Sequence, residues 1–329
     1  MNYQVRRLTA KDAWQLPALT LAVDGPSYVH AEVYHPHRMM RLNESGELIS
    51  VVALDEQERV VGHCALERPG LGPVAEVGEA MVLPEHRRHH LLDLMRLALE
   101  EEAKRLGLVG LSGDAVTHHV FSQKTEERFH GEPIGIMLGA LPPSADHLEG
   151  VYPQRLSFLN CFKYLGSPEA AVYHLPRHHH EIARKIARQL GRSVEFAEGA
   201  GGSQPGKIET SYSPDWQRGL IEVRQPSRDL AAEINEAFKT MRDDSGAQAV
   251  YVDLPLGEPE TVDLCVELEK LGFFFSGLKI RDPGAGDALR LQFLSAPIDF
   301  ALLKIETEFA RELLDYIARE RERVTPAPR

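Results

Sequence analysis

The stretch VAEVGEAMVLPEHRRHHLLDLMRLALEEEAKRL, residues 74–106, joins a strand to a long helix through a basic turn. Val74 to Leu83 reads as the strand, and Pro84 stops it because proline has no N–H to give a ladder. Glu85-His86-Arg87-Arg88-His89-His90 follows. From there Leu91, Leu92, Leu94, Met95, Ala98, Leu99, Ala103 and Leu106 recur at helical spacing, and Gly107 stands just past the end as a cap. A strand feeding a helix this way aims unpaired backbone N–H groups into the turn, at the positive end of the helix dipole, where phosphate is held well. Basic residues at a helix start oppose that dipole unless an anion is present, so Arg87 and Arg88 point to an anion site.

Outward from this stretch, the first half alternates strands and helices. Gln4 to Leu8 reads as a strand and Ala10 to Leu16 as a helix, and Leu48 to Leu54 returns through the polar turn Asp55-Glu56-Gln57-Glu58 as Arg59 to Leu66, an antiparallel hairpin. Leu108 to Val116 is a strand, Val120 to Phe129 a helix, and Pro133 to Leu141 and Leu156 to Leu165 are strands. The texture changes at Pro168 to Pro176, and a helix runs from about His178 to Leu190. Glu198 to Ser213 holds Gly199, Gly201, Gly202, Ser203, Pro205 and Gly206, a composition with little to bury, which predicts a Gly-rich loop. Strand Leu220 to Arg224, helix Ser227 to Met241, strand Ala249 to Leu254, helix Glu260 to Leu271, strands Phe273 to Ile280 and Ala288 to Leu294, and a closing helix Phe300 to Arg321 complete the chain. The fold class is mixed α/β, in two halves whose order of elements repeats, residues 1–166 and 167–329.

A length of 329 residues, 43% hydrophobic and 26% charged, with a mean hydropathy of -0.28, suits about two soluble globular domains. No stretch approaches the roughly 20 apolar residues of a membrane span, and Arg6, Arg7 and Lys11 interrupt any leader-like core, so the expected location is cytoplasmic. The net charge of -12 opposes nonspecific nucleic-acid binding and weakly favours a cationic small molecule. Cys64, Cys161 and Cys265 have no disulfide or metal spacing. His86, His89 and His90 share one loop without a carboxylate or thiolate at a fitting distance, and His178-His179-His180 opens a helix on which adjacent residues point apart, so no metal site is expected. Neither a Gly-x-Ser-x-Gly elbow nor a P-loop or dinucleotide fingerprint is present.

From Glu76 to Gly107 the sequence resembles the GNAT superfamily of acyl-CoA-dependent N-acyltransferases, with Val82, Pro84 and Arg87 in register with that family's Val-x-Pro strand end and Arg/Gln-x-x-Gly-x-Gly/Ala loop. In element order the resemblance extends over Gln4 to Leu165. His90 and Leu92 stand where the family has its two glycines, and side chains there impede a close backbone approach to pyrophosphate. The resemblance implies a mostly antiparallel twisted sheet flanked by helices, with acetyl-CoA as the cofactor. Pantetheine would pair with Met81, Val82 and Leu83, and pyrophosphate would sit on Arg87, Arg88, His89, His90, Leu91 and Leu92.

The family commonly draws the amine proton with an acidic residue on this strand. Here the carboxylates are Glu79, the preferred base, and Glu76, the reserve; their odd separation puts them on opposite faces unless a bulge intervenes. The family's asparagine and tyrosine on the following helix are absent. His119 and Ser122 become the candidate acids, and Ser122, Gln123 and Lys124 candidates for holding the cofactor. Val262 to Phe274 and Asp287 to Leu294 resemble the late part of the same fold, while Ser227-Arg228-Asp229-Leu230 is a serine N-cap with no phosphate cradle. The second half is therefore expected to be a degenerate GNAT-like domain that packs on the first and walls the acceptor cleft.

The expected function is acetyl transfer from acetyl-CoA to a primary amine by direct attack in a ternary complex. The alternative is a noncatalytic acyl-CoA sensor or scaffold. The expected partners are a small-molecule or peptide amine and a second copy of the chain as a homodimer, with no nucleic acid or membrane. The residues that select the amine belong to variable loops such as Ala22 to Met40.

Overall fold

The computed structural model describes residues 2–26, 28–143, 152–198, 205–227, 229–281 and 286–325. They pack as two compact units. The first runs to Asp114 and takes in Tyr164–Gly166; the second holds 115–143, 152–163 and the chain from Ser167 on.

The first unit contains β1 (Gln4–Arg7), α1 (Ala10–Ala13), α2 (Leu16–Val23), α3 (Pro36–Ser45), β2 (Leu48–Leu54), β3 (Val60–Glu67), β4 (Val74–Val82), α4 (Leu91–Arg105) and the start of β5 (Gly110–Val116). Its sheet runs β1-β2-β3-β4-β5, antiparallel except for β4 with β5. The β2–β3 turn closes on Asp55, whose Oδ1 accepts from Gln57 N and Arg59 N, both at 2.9 Å. That local bond is why the polar tetrapeptide turns rather than extends. One face of the sheet carries α4, which buries Leu91, Met95, Leu99 and Ala103 against Val51, Val61, Leu66 and Ala75. Each large side chain so buried contributes roughly 1.5–3 kcal/mol. The stripe is narrower than expected, because Leu94 and Leu106 are exposed. The other face packs Leu16, Leu19, Val33 and Met39 on Val52, Ala65 and Met81. Part of Ala22–Met40, expected as loop, is ordered here: a 3-10 turn covers Ala31–Tyr34, and Pro36 opens α3, which ends on the left-handed Gly46.

The second unit holds α5 (Phe121–Arg128), β6 (Glu132–Leu141), β7 (Leu156–Tyr164), β8 (Ala171–Tyr173), α6 (His180–Gln189), β9 (Val194–Phe196), β10 (Lys207–Ser213), β11 (Arg218–Gln225), α7 (Leu230–Lys239), β12 (Ala249–Pro255), α8 (Glu260–Lys270), β13 (Phe274–Lys279), β14 (Ala288–Leu294) and α9 (Glu308–Val324). Its large sheet runs β7-β6-β13-β14-β12-β11-β10, and only β11 with β12 is parallel. The order β10-β11-α7-β12-α8-β13-β14 repeats β3-β4-α4-β5-α5-β6-β7. Gly135 and Gly277 let β6 and β13 meet, since a Cβ on Gly135 would lie 2.8 Å from the Ser276 carbonyl oxygen.

Three expectations change. β8 and β9 pair as a small parallel sheet where the sequence showed only altered texture. The Gly-rich stretch gives way to β10 from Lys207; Gly199 to Ser203 lie outside the described residues. Asp229, not Ser227, is the N-cap of α7. Among the described residues no helix is long and apolar enough to cross a membrane.

Candidate active site

β4 and β5 start as neighbours and then part. They pair as Val74↔Gly110, Ala75↔Leu111 and Glu76↔Ser112, after which β4 continues to Val82 bonded to β3 alone among the described residues. From Val77 onward its β5-side edge has no ladder partner there, a row of peptide groups able to take an extended ligand as an added strand.

The open part of β4 carries a bulge. His63 pairs with Met81 and Ala65 with Gly78, so Glu79 and Ala80 together oppose Cys64, and Glu79 adopts φ +51°. A non-glycine residue in that region costs about 1–3 kcal/mol and persists only when its surroundings demand it. Ala75 and Val77 pack on the α4 side, so Glu76 lies on the other face. The bulge turns Glu79 to that same face, which undoes the odd spacing expected to separate the two carboxylates.

Glu79 is 1% exposed and His63 is fully buried, with His63 Nδ1 at 3.6 Å from Glu79 Oε2. His30 reaches in from the segment before α3, placing Nδ1 at 3.9 Å from Glu79 Oε1, 3.6 Å from Glu67 Oε2 and 3.8 Å from Glu32 Oε1. Tyr34 anchors that segment through bonds to Gly25 and to Tyr28 N. Gly78 leaves the space that the Glu67 carboxylate fills, since a Cβ there would come within 2.3 Å of Oε1. Neither oxygen of Glu79 and neither ring nitrogen of His63 has a hydrogen-bond partner among the described residues.

Burial pushes the Glu79 carboxyl up, the His30 charge pulls it back, and the Glu67 and Glu32 carboxylates raise it again, to about 8. Burial lowers His30, but the Glu32 contact and the charges of Glu67 and Glu79 override it and lift it to about 9. For His63 burial dominates over a lift from the Glu79 backbone, and with the His30 charge it brings the ring down to about 4. The pocket thus holds a cationic histidine, a neutral histidine and a carboxyl poised for proton transfer near neutral pH.

The turn between β4 and α4 keeps the backbone shape that glycine would give. His90 stands at φ 56°, ψ 23° as the N-cap of α4, and Arg88 has φ 67°. Arg87, Arg88, His89 and His90 are all exposed. Arg87 Nε lies 3.3 Å from the Val82 carbonyl oxygen, and His90 Nδ1 lies 3.1 Å from Asp93 Oδ2. Leu91 is buried and Leu92 half-buried in the first helical turn, so their side chains face the core while the N–H groups of that turn point along the axis.

The remaining candidates belong to the second unit. Gln123 is committed: Nε2 lies within bonding distance of the carbonyls of Val116 (2.9 Å), His119 (3.2 Å) and Lys304 (2.8 Å), and Oε1 accepts from Glu306 N at 3.0 Å. Its amide is a structural clamp on that segment. His119 Nδ1 accepts from Phe121 N at 3.3 Å, and the Ser122 hydroxyl is buried with no partner among the described residues. His178 and His179 do converge, against expectation, because a 3-10 turn precedes the helix: both reach Glu269 Oε1, at 2.8 and 3.2 Å. Arg323 already neutralises that cluster, lying 2.6 Å from both Glu269 and Glu320.

His30, Glu32, His63 and Glu67 were not anticipated in sequence. His63 had a faint signal, an imidazole inside the otherwise apolar run Val60–Leu66.

No protein-family model matches the chain, and no curated protein matches it. Among solved structures it is similar to a GNAT-superfamily phosphinothricin acetyltransferase from Sinorhizobium meliloti in complex with AcCoA, at 19% identity and a TM-score of 0.41, over 51% of this chain and 90% of that one. An N-acetyltransferase from Staphylococcus aureus Mu50 is similar at 15% identity and a TM-score of 0.40, over 50% of this chain and all (100%) of the other. A spermidine/spermine N-acetyltransferase from Vibrio cholerae is similar at 14% identity and a TM-score of 0.40, over 49% of this chain and 93% of the other.

Proposed function

We propose that the chain is a GNAT-type N-acetyltransferase that moves an acetyl group from acetyl-CoA to a primary amine by direct attack in a ternary complex. The observation that carries this reading is the parted β4–β5 pair, with a bulge that sets a buried, unpartnered carboxylate beside an open strand edge. Residues 1–166 are the acyl-CoA domain in this proposal, and 167–329 a degenerate copy acting in the same cytoplasmic protein.

The residues fit the cofactor. The side of Met81 to Leu83 that faces away from β3 would take pantetheine as a strand, with Arg87 releasing the Val82 carbonyl oxygen. The first-turn N–H groups of α4, with Arg87 and Arg88, would hold pyrophosphate. The bound cofactor supplies the thioester. Glu79 would take the proton from the amine nitrogen that displaces the thiolate from the thioester carbonyl. Glu76 is the reserve base, and the thiolate would leave with a proton.

The test is thiol release from acetyl-CoA over a panel of polyamines, aminoglycosides, amino acids and lysine peptides, run beside calorimetric titration with CoA. Turnover on at least one amine is expected. Micromolar or tighter CoA binding with no turnover on any amine would replace the enzyme with an acyl-CoA sensor, and absence of CoA binding would reject both.

A further inference from the structure

We propose that His30, Glu67 and Glu79 form a binding site for a divalent transition cation of the Zn²⁺ kind. Their donor atoms, one imidazole nitrogen and two carboxylate oxygens, all lie within 4.8 Å of one another. His30 Nδ1 is 3.6 Å from Glu67 Oε2 and 3.9 Å from Glu79 Oε1. Tetrahedral zinc with bonds near 2.0–2.2 Å sets its donors about 3.4 Å apart, so the two contacts of His30 close with movements of a few tenths of an ångström. Glu32 Oε1, 3.8 Å from the same nitrogen, stands at the rim, its other oxygen facing Arg38 at 3.6 Å.

Two further observations point to a ligand. Buried polar atoms are ordinarily hydrogen-bonded in more than about 90% of cases. Here Glu79 is 1% exposed with neither oxygen hydrogen-bonded, and Glu67 Oε1 lacks a hydrogen bond too, among the described residues. His63, fully buried beneath Glu79, likewise has no partner on either ring nitrogen and directs Nδ1 at Glu79 Oε2 from 3.6 Å. A cation would neutralise the two glutamates, and His63 would then orient the ligating carboxylate from behind. The mixed imidazole and carboxylate set suits zinc; calcium takes six to eight oxygens, and soft copper wants sulfur. The cluster of His178, His179, Glu269 and Glu320 lacks this character because Arg323 occupies the position of the cation.

Only the consequence rests on the acetyltransferase reading: a cation bound to Glu79 would take the carboxylate that receives the amine proton, and acetyl transfer would be inhibited. Binding itself reads out without turnover. The full chain, stripped with a chelator and dialysed, is titrated with Zn²⁺ by calorimetry and with Co²⁺ by visible absorption. One equivalent per chain is expected, with the intense visible bands of low-coordinate cobalt. Glu67→Gln should weaken Zn²⁺ at least about tenfold with an unchanged thermal melt, whereas His178→Ala should leave stoichiometry and affinity intact. Absence of binding by the wild-type chain, equal affinity in Glu67→Gln, or loss of the equivalent in His178→Ala would each overturn the site.

Discussion

Two strand–helix–strand segments of this chain follow the same order and differ in what they do with a buried carboxylate. In the first, β4 and β5 separate after Glu76↔Ser112 and Glu79 sits on a bulge with neither oxygen hydrogen-bonded among the described residues. In the second, β11 and β12 stay paired from Arg218↔Ala249 to Glu222↔Asp253. Asp253 there is fully buried but saturated: Arg290 Nε lies 2.7 Å from Oδ1, with Arg290 Nη2 at 2.8 Å, Arg281 Nη2 at 3.0 Å and Lys279 Nζ at 3.4 Å from Oδ2. Burial alone would raise its pKa, but Arg290 first and the other cations after it hold Asp253 well below the usual carboxylate range. Burial of Glu79 therefore costs stability once it ionises, whereas Asp253 contributes stability. Glu79, Arg88 and His90 have positive φ in the strand and turn where an active site is expected, and Glu58, Leu71, His130 and Gln217 share it elsewhere.

The pH dependences have opposite sign. Asp253 has a depressed pKa, so its stabilisation is present above the ordinary carboxylate pKa and is lost as the medium becomes more acidic. Glu79 has a raised one, so its contribution turns increasingly unfavourable from the ordinary glutamate pKa up to about 8. The sharpest way to break the comparison is the pair Glu79→Gln and Asp253→Asn. Glu79→Gln should lower kcat by about 10²–10⁴, remove the limb of the rate profile that rises through pH 8, and leave the melting temperature at pH 8 unchanged or higher. Asp253→Asn should cost about 3–5 kcal/mol of stability by removing the buried carboxylate that Arg290, Arg281 and Lys279 share, with kcat of the folded protein intact. Denaturant unfolding and steady-state kinetics on both variants decide it; the reverse pattern would assign the chemistry to the wrong segment.

A smaller effect tests the turn. Arg87→Ala removes a charge-assisted contact to pyrophosphate worth roughly 1.5–3 kcal/mol, or about 10- to 150-fold in CoA affinity by calorimetry, while folding hardly changes. An effect within about 0.5 kcal/mol on both would make Arg87 a solvated surface residue and detach the cofactor from this turn.

Period and punctuation made the β2–β3 hairpin, β4 with its stop at Pro84, and α4 with its cap at Gly107 legible in the sequence, because each rests on contacts close along the chain. Glu79 was legible as a carboxylate in an apolar strand. Its surroundings were not. One extra residue in a ladder leaves no mark on a nine-residue pattern, so the bulge that aligns Glu79 with the Glu76 face is visible only in the register against β3. His30 enters from a segment with no periodicity, tied down by Tyr34, and Glu67 owes its place to the missing side chain of Gly78. Such tertiary juxtapositions have no fixed spacing to read. The pairing of His178 with His179 on Glu269 escaped for a related reason: the 3-10 turn at Arg177–His179 alters the angular step that a regular helix would impose.

The smallest expected effect concerns His90, where the chain departs from the glycine of the resembling loop yet keeps glycine's conformation, φ 56° and ψ 23°. Glycine at this position would relieve about 1 kcal/mol of left-handed strain, but it would also enlarge the entropy of the unfolded chain by a similar amount. The exposed contact between His90 and Asp93 adds little in either direction. His90→Gly should therefore change stability by less than about 1 kcal/mol. Cofactor affinity is the more telling measurement. If the backbone amides of the first turn do the binding, removing the Cβ lets pyrophosphate approach and CoA should bind about two- to fivefold tighter, a gain within about 1 kcal/mol. If affinity instead falls tenfold, the imidazole of His90 is itself a phosphate donor, and the turn has replaced a backbone contact by a side-chain one.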